Sequence, residues 1–250
     1  MQHLSGQYRY LFLIFLLLYL FIKLKATKMK KQNIIISFQK NWLILLLISI
    51  KLIINLGLAQ HDGYFRDEFL DIMMSRRLFD GPMDMPLFAP ALLAIVRWLF
   101  GESPLALHLF PTLAGVGTII LTILMVRRLG GKLFAQALAG LCVLLAPVYI
   151  GMNSSYSYDP FDQFFWVLTL FALFKILKEE NPKGWLFFGV AAGLGLLTKQ
   201  SMLFLGFAIT LALLITSQRR QFTSIWIWAG AGIAFLFFFS LLPVRLRLKI

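Results

Sequence analysis

Hydrophobic and polar positions divide this chain into long apolar runs separated by short charged connections. The runs fall at about 9–25, 41–58, 105–126, 133–151, 163–177, 185–198, 202–216 and 222–242. Runs close to bilayer thickness read as membrane-spanning helices. A soluble fold of this size could not bury them all. The pattern predicts an all-α, polytopic transmembrane helical bundle with about seven core spans, leaving the first run aside.

That first run, "RYLFLIFLLLYLFIKLK", is followed by no small-residue cleavage site and reads as an extra N-terminal span or signal anchor. A second reading carries equal weight. Met29 opens "MKKQNIIISF", an ordinary start for a bacterial membrane protein, which makes residues 1–28 an upstream extension. The working core is then 29–242. At the other end, "PVRLRLKI" (243–250) puts basic residues on the side that alternation assigns to the outside. It reads as an atypical tail and points to a truncated chain.

Composition strengthens the membrane reading: 60% of residues are hydrophobic, 14% are charged, and mean hydropathy is +0.81. Net charge is +13, but its placement argues against nucleic acid, and no motif for reading bases is present. Lys28, Lys30, Lys31 and Lys40 precede the second run, and Arg127, Arg128 and Lys132 follow the third. "KILKEENPKG", Arg219 and Arg220 continue the alternation. Such clusters mark cytoplasmic connections and suit anionic lipid headgroups. The acidic connections at 59–86 and 153–163 then face outward, in a bacterial inner membrane toward the periplasm. Lys51 lies within a run, where a charge costs about 2.5–3.5 kcal/mol on insertion scales unless it snorkels or pairs. Packing against a polar groove is its simplest reading. Cys142 is the sole cysteine, so no disulfide forms within the chain, and its apolar setting suggests a small core residue.

The connection "GYFRDEFLDIMMSRRLFDGPMDMPLFAP" (63–90) holds four Asp, one Glu and three Arg. Phe65, Phe69, Ile72, Met73 and Arg76 recur at helical spacing, which predicts an amphipathic helix. Asp67 and Asp71 share its other face, and Asp67 could cap its start. Neighbouring Asp67 and Glu68 diverge by about 100° on a regular helix, so both serve one site only near the helix start. Residues 87–101 are short for a span, and Arg97 and Trp98 suit an interface. The connection therefore forms an outer platform of interfacial helices, either a solvated face or a reaction site. A second polar cluster, "NSSYSYDPFD", offers Tyr156, Tyr158, Asp159 and Asp162. These residues line a sugar pocket, or they form an aromatic belt with Asp159-Pro160 starting the next helix. His61 and His108 stand isolated, without metal-ligand spacing.

Taken together, "YFRDEFLDIMMSRRLFDGPMDMPLFAPALLAIVRWLFGES", "NSSYSYDPFDQFFW" and "GLGLLTKQSMLFL" resemble the glycosyltransferases of GT-C architecture. That group includes the dolichyl-phosphate-mannose–protein mannosyltransferases and the bacterial aminoarabinose transferases of lipid A. The likeness covers about residues 40–242. It implies transfer of a sugar from an undecaprenyl- or dolichyl-phosphate donor to a protein, lipid A or glycan acceptor on the outer face. It makes Asp67 the catalytic base, with Glu68 beside it at the reaction centre. Asp84, the acid before proline, matches a metal-binding Glu of the aminoarabinose branch, which brings in a divalent cation and a substrate-binding role. Met85 stands where that branch has Lys. Asp162 matches the family's "FD" position and would bind substrate.

The chemistry suits these residues. Attack at an anomeric carbon needs a base for the acceptor proton, and a phosphate leaving group needs cationic donors. Arg66, Arg76, Arg77 and Lys199 can supply them, Lys199 from an outer turn after a glycine-rich run. No Walker A loop or GxGxxG turn supports an ATP-driven pump or a cytosolic nucleotide-sugar transferase. A transporter or lipid flippase is the rival from another class, but its ionisable groups would gather near the midplane. An inactive fragment of the transferase is the third reading.

Overall fold

The computed structural model describes residues 31–61, 63–78 and 86–246, with side chains for 41–57, 59, 63–78 and 86–239. The expectations for residues 1–28, for Asp84 and Met85, for His61 and for the end of the tail lie outside the described residues. Among those described the fold is all-α, with no strand. The chain forms two compact units, residues 1–46 and 47–250. In the first, Leu43 and Ile44 are buried.

Helix α1 spans Lys31–His61. Two short helices follow, α2 (Glu68–Arg76) and α3 (Phe88–Phe100). Then come α4 (Pro104–Arg128), α5 (Leu133–Leu145), α6 (Pro147–Ser154) and α7 (Asp159–Glu179). The chain closes with α8 (Gly184–Thr198), α9 (Met202–Ile215), a 3-10 turn (Ser217–Thr223) and α10 (Ile225–Leu246).

Among the described residues, two helices, α4 and α7, are by themselves long and apolar enough to cross a membrane. Two bent pairs, α5 with α6 (54°) and α9 with the 3-10 turn (110°), raise the number to four if each pair is one span. The apolar helix α8 (184–198) is shorter, and α1 and α10 carry described apolar stretches at 41–57 and 225–239. The seven runs are all helical, and among the described residues length and apolarity support two to four full spans. Pro147 lacks a backbone N–H and interrupts the run 133–151 where sequence pattern alone reads one helix.

Local chemistry sets the ends that frame the site. Ser103 caps α4 by accepting from the Ala106 N–H at 3.3 Å, and Pro104 takes the first helical position. Gly101 ends α3 with φ at 77°, a conformation that a side chain would strain. Asp159 and Asp162 sit in the first turn of α7, where carboxylates complement the helix dipole.

Packing is dominated by close helix pairs. In lipid, association relies on van der Waals fit rather than exclusion of water, so small residues matter. A Cβ on Gly189 would lie 2.2 Å from the Gly230 carbonyl oxygen, and one on Gly230 would lie 2.2 Å from that of Trp185. Helices α8 and α10 therefore meet backbone to backbone. Elsewhere the interior is branched and aromatic. Leu93, Val96, Leu107, Ile119, Ile123 and Leu144 are fully buried. Phe88 at the start of α3 packs edge-on against Phe161 and Phe165 of α7, with ring centroids 5.6 and 5.1 Å apart. Cys142 departs from expectation: it is exposed on α5, not in the core.

Candidate active site

The carboxylates of the outer platform divide at the first turn of α2. Glu68, the first residue of the helix, is 0% exposed. Its Oε2 accepts from the Phe65 N–H at 2.9 Å, which ties it to the chain entering the helix. Its Oε1 accepts from the Tyr156 N–H at 2.5 Å and lies 2.6 Å from His108 Nε2. His108 is itself buried, and its Nδ1 has no hydrogen-bond partner. A proton on Nε2 therefore satisfies both groups. Tyr156 is fixed at its other end, where its hydroxyl donates to the Ala89 carbonyl at 2.7 Å. One carboxylate thus ties together α2, α4 and the segment after α6.

Asp67 turns the other way. It occupies the N-cap position of α2 but makes no side-chain cap bond. Its side chain is 63% exposed, 3.3 Å from Arg66 Nε. The roughly 100° step between adjacent helical residues thus sends one acid inward and leaves the other at the surface.

Asp71, one turn on, is buried. Burial raises its pKa from 3.8 to about 7, with the charges of Glu68 and then Asp67 adding to the shift. Burial also raises the Tyr156 hydroxyl well above its ordinary range, with a further push from Asp71. The edge of the platform is clamped by Glu102. It accepts from Arg76 Nη2 at 2.6 Å and Arg97 Nε at 2.6 Å, while Arg97 Nη1 donates to Ser75 Oγ at 3.0 Å. The hydrogen bond from Arg76 is the main reason that the Glu102 carboxyl is held below its ordinary value.

The second cluster joins the start of α7 to the turn between α8 and α9. Lys199 Nζ donates to Asp159 Oδ1 at 2.7 Å and lies 5.0 Å from the Tyr158 ring centroid. The bond to Asp159 raises the Lys199 pKa, so it stays charged. Ser201 Oγ lies 2.7 and 2.8 Å from the two oxygens of Asp162, and Trp166 Nε1 donates to Ser201 Oγ at 3.3 Å. Asp162 and Lys199, 37 residues apart in sequence, therefore share one half-exposed patch. The two clusters adjoin along the chain at 156–162, where the Tyr156 ring packs on Phe161 with centroids 5.6 Å apart.

Several of these contacts have no local sequence signal. His108 reads as a core histidine in "PLALHLFPT", yet it holds Glu68. Tyr156 was open to an aromatic-belt reading and is instead buried. Asp159 does start α7, and it also holds Lys199. Arg66 is exposed beside Asp67, and Asp84 lies outside the described residues. Among the described residues, no three His, Cys, Asp or Glu side chains form a group that could hold a metal ion. The position expected to hold a cation, Asp84, lies outside them.

An all-α bundle of apolar helices, several of them long enough to cross a membrane, is the fold of a helical membrane protein. The family model described as dolichyl-phosphate-mannose-protein mannosyltransferase matches residues 84–243. That is more than half of the chain, and the chain belongs to this family. Membership makes it a membrane glycosyltransferase of the kind that uses polyprenyl-phosphate sugar donors. No curated protein and no solved structure matches the chain significantly.

Proposed function

We propose that the protein transfers a sugar from a polyprenyl-phosphate donor to a hydroxyl of a protein, lipid or glycan acceptor on the outer face of the membrane. In a bacterium this is the periplasmic side of the inner membrane. The observation that carries this reading is the division of labour between adjacent acids. Glu68 is used up holding three donors, which leaves Asp67 exposed at the edge of the platform as the proton acceptor.

In the reaction, the acceptor oxygen bonds to the anomeric carbon while the bond from that carbon to the phosphate oxygen breaks. The acceptor proton passes to the Asp67 carboxylate, and the bond's electron pair leaves with polyprenyl phosphate. Lys199, held charged beside Asp159, meets the growing phosphate charge, with Arg66 as a further donor beside Asp67. Asp162, ordered by Ser201, accepts from sugar hydroxyls. The positive-inside pattern supports the orientation. Arg128 pairs with Glu179, and Lys178 donates to the Arg128 carbonyl, at the ends of α4 and α7 far from the acidic platform.

The test is sugar transfer by purified protein in liposomes that contain a polyprenyl-phosphate sugar. Asp67→Asn is expected to lower turnover by about 10²–10⁴-fold with folding unchanged. Full turnover in Asp67→Asn removes the assignment of the base. Flux of donor across the liposome without transfer moves the protein to the transporter class.

A further inference from the structure

We infer that Lys51, in the interior of α1, is a positioning residue for the outer site and acts through α6. The inference rests on the transferase reading above. Lys51 is 1% exposed, and its Nζ donates to the Tyr149 carbonyl at 3.1 Å. One turn further along α1, the buried Asn55 donates through Nδ2 to the Ile150 carbonyl at 3.3 Å and to Ser154 Oγ at 2.9 Å. From α4, Thr112 Oγ1 donates to the His108 carbonyl at 2.8 Å and lies 3.4 Å from the Asn153 carbonyl oxygen. Helix α6 is therefore gripped at three carbonyls, from two directions.

It needs such a grip. With eight residues, α6 is too short to be stable alone, and Pro147 and a 54° bend separate it from α5. The Asn153 amide makes no hydrogen bond to a protein group, so that buried side chain does not fix the helix. Two residues beyond its end comes Tyr156, whose N–H donates to Glu68. His108, the other donor to the same Glu68 oxygen, lies one turn before Thr112 on α4. The two donors thus reach Glu68 from α4 and from the end of α6, and the position of α6 against α4 decides whether they converge.

Lys51 fits this purpose better than a neutral brace. Its long stem reaches a carbonyl in the first half of α6, and a charge-assisted hydrogen bond is stronger than a neutral one. Gly115 gives it room: a Cβ there would lie 2.9 Å from Lys51 Cε and 2.1 Å from Asn153 Oδ1. Lysine, asparagine and glycine therefore occupy one tight space between α1, α4 and α6.

The experiment compares the wild-type chain with Lys51→Met and Lys51→Arg in lipid nanodiscs. One arm measures amide hydrogen exchange over 150–158 against exchange over α8. The other measures kcat and KM with a polyprenyl-phosphate mannose donor. In Lys51→Met, exchange at 150–158 is expected to rise about tenfold or more while α8 is unchanged. Loss of alignment at a reacting centre costs up to about 10²-fold in rate, so kcat should fall by about tenfold or more with KM within about twofold. Lys51→Arg should recover most of both. Unchanged exchange at 150–158, equal acceleration in α8, or an unchanged kcat in an active enzyme overturns the inference. If the wild type transfers no sugar, the proposed function fails while the exchange arm still decides the role of Lys51. Should Lys51→Met fail to fold, Asn55→Leu replaces it in both arms with the same expected outcomes.

Discussion

Glu68 and Asp159 are both carboxylates on the first residue of a helix near the same end of the bundle, yet they are used in opposite ways. Glu68 is sealed among Phe65, His108 and Tyr156, all from the protein itself. Asp159 is 31% exposed, and its partner Lys199 is 41% exposed. The first arrangement is saturated and dry, so it can set geometry and has little capacity left for a ligand. The second consists of one cation and one acid that solvent already reaches, so an incoming phosphate can compete for the lysine. A site for transfer from a lipid carrier needs both: a fixed frame for the base and an exchangeable charge for the leaving group.

The most forceful way to break this contrast is Glu68→Ala. It leaves the Phe65 and Tyr156 N–H groups and His108 without their acceptor. Phe65 is exposed, so water can replace its bond, but Tyr156 and His108 are buried. Each buried unsatisfied group costs about 1–3 kcal/mol, so the variant should lose a few kcal/mol and melt well below wild type. Asp159→Ala should leave Tm nearly unchanged. Equal melting of the two variants would remove the distinction between frame and exchangeable pair.

Asp71 sharpens the same contrast through pH. Its folded pKa is raised to about 7, chiefly by burial. Between its ordinary 3.8 and about 7, the folded state keeps a proton that the unfolded state has released. The stability that this gives is fully present below that window and is lost as pH rises through it. One pKa unit is worth about 1.4 kcal/mol, which bounds the effect at a few kcal/mol. Measured as Tm against pH, wild type should lose stability from about pH 4 to 7, and Asp71→Asn should flatten that slope. An unchanged slope in Asp71→Asn would mean that Asp71 is not the group responsible.

Lys199→Met tests the exchangeable side. A hydrogen bond to a charged group is worth about 1.5–3 kcal/mol, or roughly 10–100-fold in affinity. The KM for the polyprenyl-phosphate donor should rise by about that factor. Thermal stability should hardly change, because the Lys199–Asp159 pair is open to solvent. A loss confined to Tm would make Lys199 a structural residue.

What the sequence made legible follows the range of each interaction. Helical runs, the acidic platform and the start of α7 at Asp159-Pro160 depend on residues within a turn or two, so periodicity and proline reveal them. Lys199 was open to reading because it stands at a helix break, the turn at 199–201, and Asp162 because it matches the family's "FD" position. Glu68 was read beside Asp67, but its inward turn depends on His108 and Tyr156, 40 and 88 residues away. A lone histidine in an apolar helix gives no hint of such a partner. The bend at Pro147 was hidden for the same reason, since hydropathy does not register it. Lys51 lies between these cases: the groove was expected, while its wall of α6 carbonyls could come only from the fold.

The smallest effect has the opposite sign from that of Lys199→Met, and so tests the exchange most directly. Asp159 now holds the ammonium that the donor phosphate must recruit. An ion pair this exposed is worth about 0–1 kcal/mol, so breaking it should release the lysine at little structural cost. Asp159→Asn removes the competing charge and keeps the shape of the side chain. The donor KM should fall, by no more than about fivefold. A rise in KM would mean that Asp159 orients Lys199 toward the phosphate rather than competing for it. The pair would then be a second fixed frame, and the difference between Glu68 and Asp159 would be one of exposure alone.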